Sequence, residues 1–198
     1  LKKYDLTERH FGWKNKPSVT SETEYADYIL NRAIKAQGII SLDSVCYLET
    51  KNKTNVQKLI VKKLKNKELV EIKIDSAIKN TFYIEPERLE KNVIPNELTH
   101  ILSPFDPLII QRKRLKDFFE YEHLFEAYIP KAKRKFGYFT LPVLHKNEII
   151  ALLNLKTDRA EQQILIQNWI WLGKHKSASN KKVIEAELDR FEKFQLWK

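Results

Sequence analysis

The side chains in this sequence best equipped for chemistry are cations, and they come in groups. Lys51, Lys53, Lys58, Lys62, Lys63, Lys65 and Lys67 follow one another with no Asp or Glu between them. A second group, Arg112, Lys113, Arg114 and Lys116, comes directly after the turn "LSPFDPL". A third, Lys131, Lys133, Arg134 and Lys135, precedes Gly137, Tyr138 and Phe139 in "PKAKRKFGYF". "LKTDR" brings Lys156, Asp158 and Arg159 together at the end of a strand-like run. Clustered ammonium and guanidinium groups suit phosphates, and a neighbouring aromatic ring can stack on a base. A charge run is more often a solvated helix face, and the last group more often a turn with a local ion pair.

Other chemistries find little support. The four glycines leave no room for a Gly-rich phosphate loop. His10, His100, His123, His145 and His175 are scattered without metal-ligand spacing, so each reads as a surface or satisfied core histidine. Cys46 stands alone, which excludes an internal disulfide and a multi-cysteine zinc site. It reads as a small core residue. Trp169 and Trp171 alternate on a strand and read as packing residues. No metal, no cofactor and no catalytic residue is expected.

The 198 residues suffice for one large or two small domains, and 36 Lys+Arg against 26 Asp+Glu give a formal charge of +10. That excess fits a nucleic acid or an anionic surface as partner. No apolar run approaches a membrane span and nothing at the start looks like a signal peptide, so a cytoplasmic protein without membrane partner is expected. The sequence starts at Leu1 and has no methionine. A piece of a longer chain is therefore expected, with "LKKYDLTE" as the last strand of a preceding domain.

Certain elements must position these cations. Ser21 and Glu24 have the spacing of a capping box, followed by Tyr25, Tyr28, Ile29, Ala33 and Ala36 at helical intervals and Gly38 as a stop. A short helix is predicted near Leu42–Leu48. A third helix is predicted from a capping box at Thr54 and Gln57, with Val56, Leu59, Ile60 and Leu64 as its apolar stripe. Glu68–Ile74 and Thr81–Glu85 read as strands joined by the turn Asp75–Asn80. Helix, helix, helix, hairpin is the order of a winged helix, whose third helix meets a DNA groove. Its outer face here would carry Asn55, Lys58, Lys62 and Lys65.

Beyond a linker at Glu85–Thr99, Pro104 and Pro107 stiffen the turn. Asp106 is placed to cap a helix that starts at Pro107 and carries Leu108, Leu115, Phe118 and Phe119 inward. Strands are predicted at Leu124–Ile129, Tyr138–Leu144, Glu148–Lys156 and Ile164–Leu172, with turns at Lys146-Asn147 and Asp158–Gln162. They suggest a small antiparallel sheet or partly closed barrel. Asn180–Phe194 reads as an amphipathic helix with Ile184, Leu188 and Phe191 inward. The expected class is α+β: a winged helix-turn-helix, then a small antiparallel β-barrel or sheet domain with flanking helices. The expected domains are 1–20 (end of a preceding domain or linker), 21–92 (winged helix) and 100–198 (barrel-like domain with its terminal helix).

The region from Leu102 to Arg159 resembles the signature region of the YcaQ/AlkZ-type DNA glycosylases. The matching residues are Leu102–Leu108, Arg112 and Arg114, Tyr128 and Pro130, Lys133 to Tyr138, Leu141–Leu144, and Leu155, Lys156, Asp158 and Arg159. Ser21 to Ile84 is similar to that family's last winged helix. The sequence departs from the family at Ile110-Gln111, where Trp-Asp is frequent, and at Leu152 and Asn154, where Arg and Asp are frequent. The resemblance implies tandem winged helices and a carboxy-terminal barrel that cradle duplex DNA and excise alkylated or crosslinked bases. The family's catalytic Gln-apolar-Asp/Gln motif has no counterpart in this sequence.

The implied function is the DNA-binding carboxy-terminal part of a base-excision glycosylase, inactive alone and monomeric. Its partners would be double-stranded DNA and preceding winged-helix domains of the same chain. The expected DNA-binding residues are Asn55, Lys58, Lys62, Lys65, Arg112, Arg114, Lys133, Arg134, Lys156 and Arg159. A winged-helix transcription regulator with a ligand- or partner-binding carboxy-terminal domain is the alternative.

Overall fold

The computed structural model describes residues 2–75, 80–91 and 97–196. Parts of the predicted turn at Asp75–Asn80 and of the linker at Glu85–Thr99, and the end of the expected domain 21–92, lie outside them. The chain divides into two compact units, Leu1–Val70 with Tyr83–Pro86, and Glu71–Phe82 with Glu87–Lys198.

The first unit is helical. The opening segment contains a short helix, α1 (Thr7–His10), where a strand was expected. The Leu6 and Thr7 carbonyls accept from the His10 and Phe11 amides, so the local helical bonds displace an extended conformation. α2 (Glu22–Gln37) starts on the predicted capping box, with reciprocal bonds between Ser21 and Glu24. It ends at Gly38, whose φ of +71° is open to glycine at little cost. Its buried face is Ala26, Ile29, Leu30, Ala33 and Ile34, while Tyr28 is exposed. The predicted stripe was thus rotated, because small Ala26 and long Leu30 and Ile34 point inward together.

α3 (Leu42–Val45) is shorter than predicted, since its Ser41–Ser44 capping box fixes the start and Leu48 turns to φ +65° beyond it. A 3-10 turn, Thr50–Asn52, then leads into α4 (Lys53–Lys65). The expected Thr54–Gln57 box does not form: the N-cap is Asn52, without a side-chain bond. The preceding 3-10 turn already supplies the helical entry, so the start lies upstream of Thr54. Val56 and Ile60 are buried, and Leu59 and Leu64 pack partly against the same core as Ile29, Val45 and Cys46. Strands β1 (Val70–Ile72) and β2 (Phe82–Ile84) pair as a two-stranded sheet, both shorter than predicted.

After α5 (Pro86–Leu89), β3 (Thr99–Ile101) begins a four-stranded antiparallel sheet. It is completed in the order β3-β4-β5-β6 by β4 (Thr140–His145), β5 (Glu148–Asp158) and β6 (Gln163–Trp171). The sheet is open, not a closed barrel. The predicted strand at Leu124–Ile129 is an irregular loop instead, and β3, which starts on the last residue of the expected linker and was not predicted as a strand, takes the place beside β4. The alternation in "HLFEAYI" is answered by a turn built on Glu126, described below.

From Ile149 to Asn154 every residue of β5 is buried, as befits a central strand covered on both faces. α8 (Ala178–Leu196) lies against β3 and β6, inserting Ile184 and Leu188 among Leu141, Val143, Ala151 and Leu153. Trp169 and Trp171 pack partly against this cluster, as their alternation implied.

The helix expected from Pro107 is two helices, α6 (Pro107–Ile110) and α7 (Arg112–Phe119). Asp106 caps the first, accepting from the Leu108 amide at 2.8 Å, and Gln111 (ψ 76°) breaks the run. On the second helix Leu115 alone is fully buried, with Phe118 and Phe119 partly so.

Ile184 is fully buried in the sheet–helix core. Ile184→Ala should therefore cost about 2–5 kcal/mol, by lost transfer energy and the cavity left behind. Chemical denaturation of the variant against the parent chain measures it.

Candidate nucleic-acid interface

Every cationic group singled out from sequence sits on a described element, with unequal freedom. On α4 the apolar stripe fixes the rotation, which leaves Lys58, Lys62 and Lys65 exposed at helical intervals, with Asn55 half-buried one turn earlier. Lys53 pairs with Asp43 at 2.7 Å and Lys63 with Glu68 at 2.8 Å. Lys58, Lys62 and Lys65 are in no ion pair among the described residues. α4 therefore presents a row of three unneutralised ammonium groups, and its two flanking lysines serve local contacts.

The third group lies on a built loop. Lys131–Lys133 form a 3-10 turn, and the chain then passes over Glu126, a residue the sequence reading missed. The Glu126 side chain is 3% exposed, and its two carboxylate oxygens accept from the amides of Lys135 (2.7 Å), Phe136 (2.6 Å) and Gly137 (3.0 Å). Burial works against this charge, but the three amides, aided by Arg134, outweigh it and hold the carboxyl below its ordinary range. Asn154 of β5 completes the anchor, donating Nδ2–H to the Phe136 carbonyl at 2.7 Å and accepting from Thr140. Gly137, at φ +134°, passes so close that a Cβ there would lie 2.6 Å from Asn154 Oδ1. Only glycine fits both the conformation and the space.

The anchored loop leaves Lys131, Lys133 and Lys135 exposed. Arg134 is tied down: its Nε–H donates to the Ile129 carbonyl at 2.7 Å and its guanidinium lies 4.9 Å from the Tyr138 ring centre. On α7 the same contrast holds. Arg112 is exposed, whereas Arg114 is half-buried over the Phe118 ring at 4.5 Å, and burial lowers its pKa. Arg114 and Arg134 thus both orient aromatic neighbours. Lys156 and Arg159 are exposed near the β5–β6 turn. Asp158 closes that turn, accepting from the Ala160 and Glu161 amides at 3.0 and 3.1 Å.

Glu126 and Asn154 had a faint sequence signal. Each is a single polar residue inside an apolar run, "LFEAYI" and "IALLNL". Such a residue, once buried, must find hydrogen-bond partners. Its partners, lying 9 to 11 and 18 residues away, could not be read from the run itself.

His123 departs from the expectation of a satisfied core histidine. It is 3% exposed, shares Nδ1 with the Tyr121 hydroxyl at 3.2 Å, and its buried Nε2 has no partner among the described residues. Burial, with Arg112 adding a little, pushes its pKa down to about 4.

The sequence model of the AlkZ-like DNA glycosylases matches residues 1–194. The chain belongs to this family. Membership places it among DNA-repair glycosylases and implies DNA as a partner. No solved structure matches the chain significantly. No helix among the described residues is long and apolar enough to cross a membrane.

Two predictions concern the anchor of this family member's basic loop and its neighbour. Glu126→Gln keeps the shape but turns one acceptor into a donor facing an amide. It should destabilise the chain by about 1–3 kcal/mol, the cost of an unsatisfied buried donor. Hydrogen exchange at Lys135, Phe136 and Gly137 should accelerate more than elsewhere in the unit.

His123 stays neutral in the folded chain until about pH 4, while its unfolded form takes a proton near 6.5. The unfolded state binds more protons in that window, so stability should fall as pH drops through it, by at most about 1.4 kcal/mol per unit. His123→Leu should flatten the profile of Tm against pH there, whatever it does to Tm at neutral pH.

Proposed function

We propose that this chain is the duplex-DNA-holding part of a base-excision glycosylase acting on alkylated or crosslinked bases. The observation that carries the proposal is the α4 face. Lys58, Lys62 and Lys65 are exposed and outside any ion pair among the described residues, on a helix whose other side is fixed in a core. The order α2, α3, α4, β1, β2 supports a winged-helix reading of residues 21–92, with α4 as the helix that meets DNA. Lysines act as point charges on phosphates and carry no fork of donors for base edges, so their contact is with backbone rather than sequence. Arg112, Lys133, Lys156 and Arg159 supply further phosphate contacts on the unit that carries the four-stranded sheet, here proposed as the domain 100–198. Arg114 and Arg134 act there chiefly by shaping the surface. The chain works as a monomer in the cytoplasm.

Duplex affinity should fall steeply with salt, because each neutralised phosphate releases counterions. Replacing Lys58, Lys62 and Lys65 by Ala should reduce the slope of log K against log salt by close to 0.9 per lost contact. Affinity should fall similarly on unrelated sequences. An unchanged slope removes α4 from the interface. A dimer selecting a short palindrome would point to a transcription regulator instead.

A further inference from the structure

Four aromatic rings gather where the turn after β3, the Glu126 loop and the entry to β4 meet. Phe125 is the hub: its ring centre lies 5.3 Å from Phe105, 5.8 Å from Phe139 and 5.8 Å from Tyr128. Phe105 and Phe139 are 6.0 Å apart. Tyr138, under the Arg134 guanidinium, adjoins Phe139 in sequence. A core cluster would be covered, and this one is not. Tyr128 is 91% exposed and Phe105 59% exposed.

The rings are held rigidly by three segments. Phe105 sits between Pro104 and Pro107, where Asp106 caps α6. Phe125 and Tyr128 flank the buried Glu126 with its three amide partners. Phe139 leads into β4. A contiguous apolar surface kept exposed on a stiff frame is the mark of a binding site.

Charge chooses the occupant. Arg134 bonds to the carbonyl of Ile129, the residue next to Tyr128, and this brings the basic loop to the edge of the rings. Lys131, Lys133 and Lys135 are exposed on that loop. The nearby acids are spent: Glu126 is buried on amides, Asp106 caps α6 and Glu122 pairs with Lys116. Aromatic rings beside free cations match a ligand that alternates flat apolar rings with phosphates. A base inside a duplex has both faces covered by its neighbours, so only an unstacked one can use the rings.

We propose that the Phe105–Phe125–Tyr128 surface is a stacking platform for an unpaired nucleobase of bound DNA, with the loop lysines on its flanking phosphates. The proposal rests on the DNA-binding reading above and extends it to a structural class of substrate: duplex with a displaced base.

The test compares the whole chain on two duplexes of one sequence. One is fully paired and the other carries a single-nucleotide bulge of 2-aminopurine. Binding is followed by anisotropy and by 2-aminopurine emission. Stacking on an aromatic ring lends each base a factor of about 5 to 150 in affinity, so the bulged duplex should bind tighter by that factor. The 2-aminopurine emission should be quenched in the complex. Tyr128→Ala and Phe105→Ala, at exposed rings where the fold should survive, should shrink the preference to within about twofold and restore the emission. Tyr128→Phe should keep both.

Equal affinity of the parent chain for the two duplexes overturns the platform and leaves the DNA-binding reading standing. A preference that survives Tyr128→Ala and Phe105→Ala also overturns it. Failure to bind either duplex sinks both readings. Quenching by the Tyr128→Ala variant but not by the parent chain would place the base elsewhere and overturn it as well.

Discussion

The surface of the second unit depends on one buried carboxylate. A carboxylate in an apolar setting is tolerated only when its lone pairs are met, and Glu126 meets them with three consecutive backbone amides. Those amides belong to the very loop that carries Lys131, Lys133, Arg134 and Lys135. A concentration of like charges would otherwise spread and sample many conformations. The buried anion gathers the chain beneath the cations, while Asn154 and the bare backbone of Gly137 fasten it to β5. Cationic loop and aromatic cluster are thereby parts of one rigid construction.

The sheet supplies the base for this anchor. β5 is buried from Ile149 to Asn154, flanked by β4 and β6, with α8 contributing Ile184 and Leu188 to the shared core. Asn154 pairs in register with Thr140 on one side and Asn168 on the other, just before the irregularity at Leu155. A polar side chain at that place can turn from the core towards the loop and satisfy a carbonyl there. The amide matters here: it can donate to the Phe136 carbonyl, whereas an ionised carboxylate in its place could not.

Positive charge is abundant in this chain, but its availability is not uniform. Lys53, Lys63 and Lys116 are engaged by Asp43, Glu68 and Glu122. Arg114 and Arg134 lie over rings, where a planar guanidinium packs better than an ammonium would. The cations left for a polyanion are mainly lysines with long, mobile stems. Such ammonium groups suit contact with phosphates more than with base edges.

Much of this was legible in the sequence because the deciding forces were local. The Ser21–Glu24 box, the Asp106-Pro107 helix start, the α4 stripe and the long β5 and β6 strands follow from spacing and from caps, which act within a few residues. The family too was written in fixed residues from Leu102 to Arg159. What the sequence could not decide was set by partners far along the chain. The alternation at Leu124–Ile129 promised a strand, but Glu126 found its amides in a distant loop and made a turn. Three residues at Thr99–Ile101 gave no strand signal of their own, yet pairing with β4 made them one. Gln111, at ψ 76°, split a continuous helical pattern into two helices that each bury one residue, Ile109 and Leu115. Which arginines stay free, and that Phe105, Phe125 and Tyr128 meet in the open, depended likewise on contacts between segments that sequence spacing does not record.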